Sequence, residues 1–293
     1  MTAQSFLFSF LRFLDIQIES IEQSGFYKML VEKYPQISEG WQEAENMNPE
    51  VQELTKLTGL NFDDLIGFNL VVEGLDGMAK ASEEGRAPKL GSELEFIVCA
   101  KVKGKLDPKK LFAFMLEKLE EEKGLAERKK VEESIKITDQ VSKISVPAEL
   151  LGKENTSTGL LIAIKQGKKL SEIKLGVPTK VNASLKAKDE KIPLACLDVM
   201  AKDRQVTFAI SVDPAVWERP EFGANQQNPL FAGLANSVKG IREFGLSISF
   251  RDQSLGFEVC VTCKDTQSAL GLWTVAQGGL GMAQLAMAKE GGQ

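Results

Sequence analysis

The chain has 293 residues, 43% of them hydrophobic, 26% charged and 7% aromatic, with a net charge of −5. This composition excludes a disordered chain, a fibrous repeat and a small disulfide scaffold, and the length corresponds to about two domains at roughly 150 residues each. There is no histidine, so the chain cannot supply a Ser-His-Asp or Cys-His relay, a His-ligated zinc, a 2-His-1-carboxylate iron site or a His proton shuttle.

The first eleven residues lack a basic n-region, a long apolar core and a small-residue cleavage site, so they do not read as a signal peptide. Phe6, Phe8 and Phe10 alternate as in a strand, and helical material is expected over Asp15–Glu22 and Phe26–Leu30. A further helix is expected at about Glu39–Leu57. Two strands follow, Leu65–Asp76 and Leu94–Val102, joined by a polar Gly- and Pro-containing segment at about 77–92 that reads as a mobile surface loop. Asp107 is a good N-cap and Pro108 fits the first helical position, ahead of the apolar stripe Leu111, Phe112, Met115, Leu116 and Leu119. One or two strands are expected near Ser134–Val146 and Gly159–Ile164, then helical segments near Ser171–Lys174, Val181–Lys188 and Pro193–Met200. Val206, Phe208, Ile210 and Val212 alternate, and Pro229–Leu234 reads as helical. The strands Ile241–Asp252 and Leu255–Cys263 then form a tight hairpin through Arg251–Ser254. Behind Asp265, Thr266 to Ala288 runs without a charge. This is long enough to span a bilayer, but its Gln, Thr, Ser and Gly content favours a helix buried against a sheet.

These elements contain an internal repeat. Leu94–Val102 and Leu255–Cys263 share four of nine residues and the same alternation, and Leu65–Asp76 aligns with Ile241–Asp252 at constant offset. The expected unit is β-α-β-β-α written twice. The first copy spans 1–175, with an extra helix and the loop insertion, and the second spans 176–293, within one compact two-lobed body. The expected fold class is α+β, with mainly antiparallel sheet and helices packed on one face.

Charge is uneven: residues 1–100 are net −10, residues 101–191 net +7. The positive stretch is nearly all lysine, with Arg128 its one arginine and few aromatics, which argues against nucleic acid and for solvated helix faces and loops. Of the four cysteines, Cys260 and Cys263 lie three apart in a strand-like run and so point to opposite faces, a poor arrangement for a metal. Cys99 and Cys260 hold equivalent positions in the repeat. They are either small semi-buried side chains or a disulfide brought together by pseudo-twofold packing. No phosphate loop, dinucleotide fingerprint, nucleophile elbow or EF-hand loop occurs. Ser171-Glu-Ile-Lys174 fits S-x-x-K but lacks the companion K-T-G.

In Ser5–Asp15 leading to Ser24–Lys28, in Lys103–Lys109 and in Asp265–Gln277, the chain resembles a group of uncharacterised extracytoplasmic bacterial proteins. These are built from duplicated strand-helix-hairpin-helix modules behind a signal peptide or lipoprotein anchor. The resemblance implies an extracytoplasmic location if the N-terminus is truncated or mature, and a cytoplasmic one otherwise; it carries over no catalytic residue. The sequence points first to a non-enzymatic binding or envelope-associated scaffold protein without cofactor, metal or transmembrane span, with a protein or an apolar small molecule as partner. One alternative is a carrier of an apolar ligand in a sheet–helix groove lined by Phe6, Phe8, Phe10 and Trp273. Another is a carboxylate-based hydrolase.

Overall fold

The computed structural model of the chain describes residues 13–36, 49–58, 64–74, 77, 80–81, 84–151, 158–187, 194–212, 214 and 237–290. Phe6, Phe8 and Phe10 and the expected helix at Pro229–Leu234 lie outside them. Among the described residues, nine strands form one antiparallel sheet: β1 (Phe13–Ile16), β2 (Leu65–Glu73), β3 (Glu95–Lys103), β4 (Val141–Val146), β5 (Leu160–Gln166), β6 (Leu170–Gly176), β7 (Val206–Ser211), β8 (Ile241–Phe250) and β9 (Leu255–Cys263). Their order is β4-β5-β6-β3-β2-β1-β7-β8-β9. The helices are α1 (Ile18–Gln23), α2 (Gly25–Lys33), α3 (Pro49–Thr58), α4 (Pro108–Lys123), α5 (Leu125–Glu132), α6 (Pro178–Lys186), α7 (Ala195–Val199) and α8 (Thr266–Glu290). The chain divides into two compact units. The first comprises Met1–Ile192, Asp203–Phe208 and Ser247–Phe257, the second Pro193–Lys202, Ala209–Leu246 and Glu258–Gln293.

In the first unit the sheet has helices on both faces, which corrects the one-face expectation. Residues directly opposite one another in an antiparallel ladder share a face. Leu70, Val98, Leu175, Ile162 and Ile144 form one such row, and Phe68, Ala100, Ile173 and Ile164 the next. On that side α4 and α5 bring Leu111, Phe112, Leu116 and Val131 onto Ile144 and Ile164, closing the larger core cluster. The intervening residues Ile97, Cys99, Leu161 and Ala163 face the other way and pack against Val181 of α6. Strands β3 and β5 are apolar on both faces, so neither face can be left to water. The Asp107 carboxylate caps α4 by accepting from the Lys109 N–H at 2.9 Å, as its sequence signature predicts.

Two segments depart from the expected elements. Asp15 and Ile16 belong to β1 rather than to a helix, which starts only at Ile18. Ser171–Lys174 lies inside β6, not in a helix. Its alternation of Ser171, Ile173 and Leu175 against Glu172 and Lys174 is a strand pattern that the short polar run conceals. Gly67 sits where the β2–β3 register shifts. A Cβ there would stand 2.4 Å from the Ile16 carbonyl oxygen, so only glycine lets β1 approach.

The connection between β2 and β3 is organised by charge. Arg86 donates through Nη1 and Nη2 to Glu93 at 2.7 and 2.6 Å and through Nε to Glu84 at 2.7 Å, while the Lys89 N–H donates to Glu93 at 2.8 Å. These contacts hold the Glu93 carboxyl at about 2, well below its ordinary 4.5.

In the second unit, the Glu243 carboxylate accepts from the Cys196 N–H at the start of α7 at 2.9 Å. A Cβ at Gly245 would stand 2.8 Å from Met200 Sδ and 3.3 Å from Cys196 Sγ, so the glycine lets this segment lie directly on β8. The α8 helix starts on Asp265, which accepts from the Ser268 N–H at 2.7 Å. It is not buried as expected: Leu270 and Trp273 are 60% and 62% exposed. Among the described residues, no helix is long and apolar enough to cross a membrane.

Two outcomes follow from this packing. Phe112→Ala empties a fully enclosed site and lowers unfolding free energy by about 3–5 kcal/mol in urea titration, whereas Trp273→Ala changes it by less than about 0.5 kcal/mol. Because the folded pKa of Glu93 lies below its free value, the Arg86 clasp contributes stability above pH 4.5 and loses it as pH falls towards 2. A carbon-detected NMR titration finds the Glu93 midpoint at about 2, and in Arg86→Gln it rises into the usual carboxylate range.

Candidate functional site

On the α6 side of the sheet in the first unit, the register builds three rows of side chains. The outer row runs Phe13, Val71, Ile97, Gly176 and Leu161. The middle row runs Asp15, Asn69, Cys99, Lys174 and Ala163. In the third row Gly67, Lys101, Glu172 and Lys165 stand opposite one another, with Gln17 one step beyond the end of β1. Helix α6 covers only part of this face. Beside it opens a cleft of about 420 Å³, floored by Phe13, Asp15, Asn69, Val71 and Cys99 and bounded by Lys101, Lys165, Glu172, Lys174 and Ser184.

Charge in the cleft is fixed by contacts within the unit. Lys174 is 7% exposed, and its ammonium donates to the Ser184 hydroxyl and, at 3.3 Å, to the Ser184 carbonyl oxygen. Glu172 stands 4.0 Å from it and is flanked across the ladder by Lys101 and Lys165. A buried lysine needs such partners because an uncompensated charge is costly to remove from water. Burial raises the Asp15 carboxyl above its ordinary value, opposed by the 2.8 Å hydrogen bond from Gln17 Nε2 and by the charges of Lys101 and Arg204. Three lysines, Lys101, Lys165 and Lys174, against two acids, Asp15 and Glu172, leave the cleft cationic.

The S-x-x-K pattern is taken apart by the strand. Ser171 faces the α4 side, where its hydroxyl accepts from the Leu106 N–H at 3.0 Å and donates to the Gly104 carbonyl at 3.1 Å. Lys174, three residues on, faces the cleft. The pair is structural on one side and part of the cleft on the other.

None of Cys99, Cys196, Cys260 and Cys263 is in a disulfide; Cys99 lies on β3 of the first unit and Cys260 on the part of β9 that belongs to the second. The thiol whose charge bears on Cys196 is Cys260. Burial, with Glu243 beside it, pushes the Cys196 thiol up to about 12. Trp273 stands largely in solvent; the other three residues of the expected apolar groove are outside the described residues. Among the described residues, no three His, Cys, Asp or Glu side chains are placed to hold a metal ion.

Lys101, Lys165, Glu172, Asp15 and Asn69 escaped sequence reasoning because they meet only through pairings between distant strands. The signal that was available is the period-two run of β6 and its end at Gly176-Val-Pro178. Comparison with protein-family models, curated proteins and solved structures gives no match.

Thiol chemistry tests the burial pattern. Under native conditions at pH 8 an alkylating reagent modifies Cys260 and Cys263 first, as located by peptide mass mapping. Cys196 and Cys99 react only on unfolding, and raising the pH to 10 does not expose Cys196, whose thiol stays protonated.

Proposed function

We propose that the chain is a non-enzymatic binding protein whose ligand seat is the sheet-face cleft of the first unit. The observation that carries this reading is the convergence of amide and charged side chains from β1, β2, β3, β5 and β6 on one open cleft of about 420 Å³, the usual size of a small-molecule site. Polar side chains dominate the lining, which favours a polar ligand over the plain apolar cargo that the sequence suggested. Glu172 is engaged among lysines, which supports a holding role for it over that of a free general acid or base. The resemblance to extracytoplasmic bacterial proteins supports an envelope setting. The order β3-β2-β1 followed by β7-β8-β9 is what a duplicated unit meeting at its first strands would have, and supports the duplication.

Native mass spectrometry of gently purified chain tests the reading. A small polar adduct is expected, and it disappears when Asn69→Leu fills the cleft floor. Saturating a site at a hundred times Kd stabilises the fold by about 2.7 kcal/mol, so the adduct also raises the Tm. A bare chain that is not stabilised by any of a panel of small acids, amides, sugars and lipids overturns the proposal. A lipid adduct that survives Asn69→Leu overturns the assignment of the cleft.

A further inference from the structure

We propose that the cleft takes a small organic acid with a hydrogen-bonding amide in its middle and an apolar end, the class of an N-acyl amino acid; this deepens the binding reading above and rests on it. The inference comes from the way the three rows differ. Along a strand, residues on one face are two positions apart, so the rows are separated by roughly 7 Å and the outer two by about 13 Å. Phe13 and Val71 make the first row apolar where it floors the cleft. Asp15 and Asn69 make the second a row of half-buried hydrogen-bonding groups. Lys101 and Lys165, exposed on either side of Glu172, make the third a cationic end. At Gly67 the third row has no side chain, and the Ile16 carbonyl and Gln17 close over it, so the cationic end is made by the lysines alone.

Each row selects one part of a ligand. A ligand carboxylate that meets the exposed ends of Lys101 and Lys165, above the Glu172 that stands between them, relieves the excess of lysine over acid in the cleft, and being partly solvated it gives a moderate, salt-sensitive attraction. An amide pairs with Asn69 and Asp15, whose half-buried polar atoms reward a donor and an acceptor over a methylene. An acyl chain covers Phe13 and Val71. A ligand with these parts in line, about 13 Å long, orients itself, because reversing it would put its charge on the apolar row.

Isothermal titration with N-hexanoylglycine tests the proposal, beside decanoate (similar length, no amide), acetate (acid only) and N-hexanoylglycinamide (no charge). N-hexanoylglycine is expected to bind at least tenfold more tightly than each of the others. The double variant Lys101→Met, Lys165→Met, with unchanged circular dichroism and Tm, is expected to weaken it at least tenfold. Doubling the ionic strength is expected to weaken binding to the wild type and not to the variant. Decanoate binding as tightly, or acetate binding as tightly, overturns the three-part ligand while leaving the cleft a binding site. Undiminished binding by the double variant overturns the lysine end. If none of the four binds and native mass spectrometry also finds a bare chain, both this inference and the binding reading fail. If none binds but a cleft-dependent adduct is found, only this inference fails.

Discussion

The pairing of β3 with β6 is the constraint on which the first unit depends. It sets Cys99 opposite Lys174 and Lys101 opposite Glu172, and so brings strands from two distant stretches of chain into one surface. A slip of one residue would turn Lys174 and Glu172 towards α4 and α5, and Ile173 and Leu175 out towards the cleft. The α4 side consists of Ile144, Ile164, Phe112 and their neighbours, where an ammonium would lose the Ser184 oxygens that hold it on the cleft side. The register is therefore enforced from both faces: by apolar burial on one, and by the demand of Lys174 for the Ser184 oxygens on the other. Ser171 adds a third restraint, since its hydroxyl satisfies the Leu106 N–H only in this register.

The same pairing explains what could be read from the sequence. The hairpin strands β2, β3, β8 and β9 announce themselves by alternation, and α4 by Asp107, Pro108 and its apolar stripe, because these signals are local. The second helical face was not legible, because Ile97, Cys99, Leu161 and Ala163 look like the weaker face of half-buried strands until α6 is seen on them. Strand β6 was hidden because a buried lysine and its glutamate break the hydrophobic pattern. The cleft residues lie as far apart as Asp15 and Lys174, and nothing in their local sequence marks them as neighbours. The fold class was thus readable, and the site was not.

The cationic stretch between residues 101 and 191 resolves into two populations. Some of its charges are tied to acids on exposed helix surfaces, as Arg128 is to Glu120 and Lys118 to Glu53 and Glu121. Such exposed pairs contribute little to stability. Lys101, Lys165 and Lys174 instead stand on one sheet face around a single glutamate. Net charge per segment cannot separate the two cases, because the difference is which strand face each lysine occupies.

The clasp between Arg86 and Glu93 has a consequence for how this chain tolerates changes in length. It closes a small ring inside the connection between β2 and β3. Residues added inside the ring must be accommodated against a bidentate ion pair and the Lys89 N–H contact, and they break it. Insertions and deletions among natural variants of this chain would therefore avoid the span from Arg86 to Glu93.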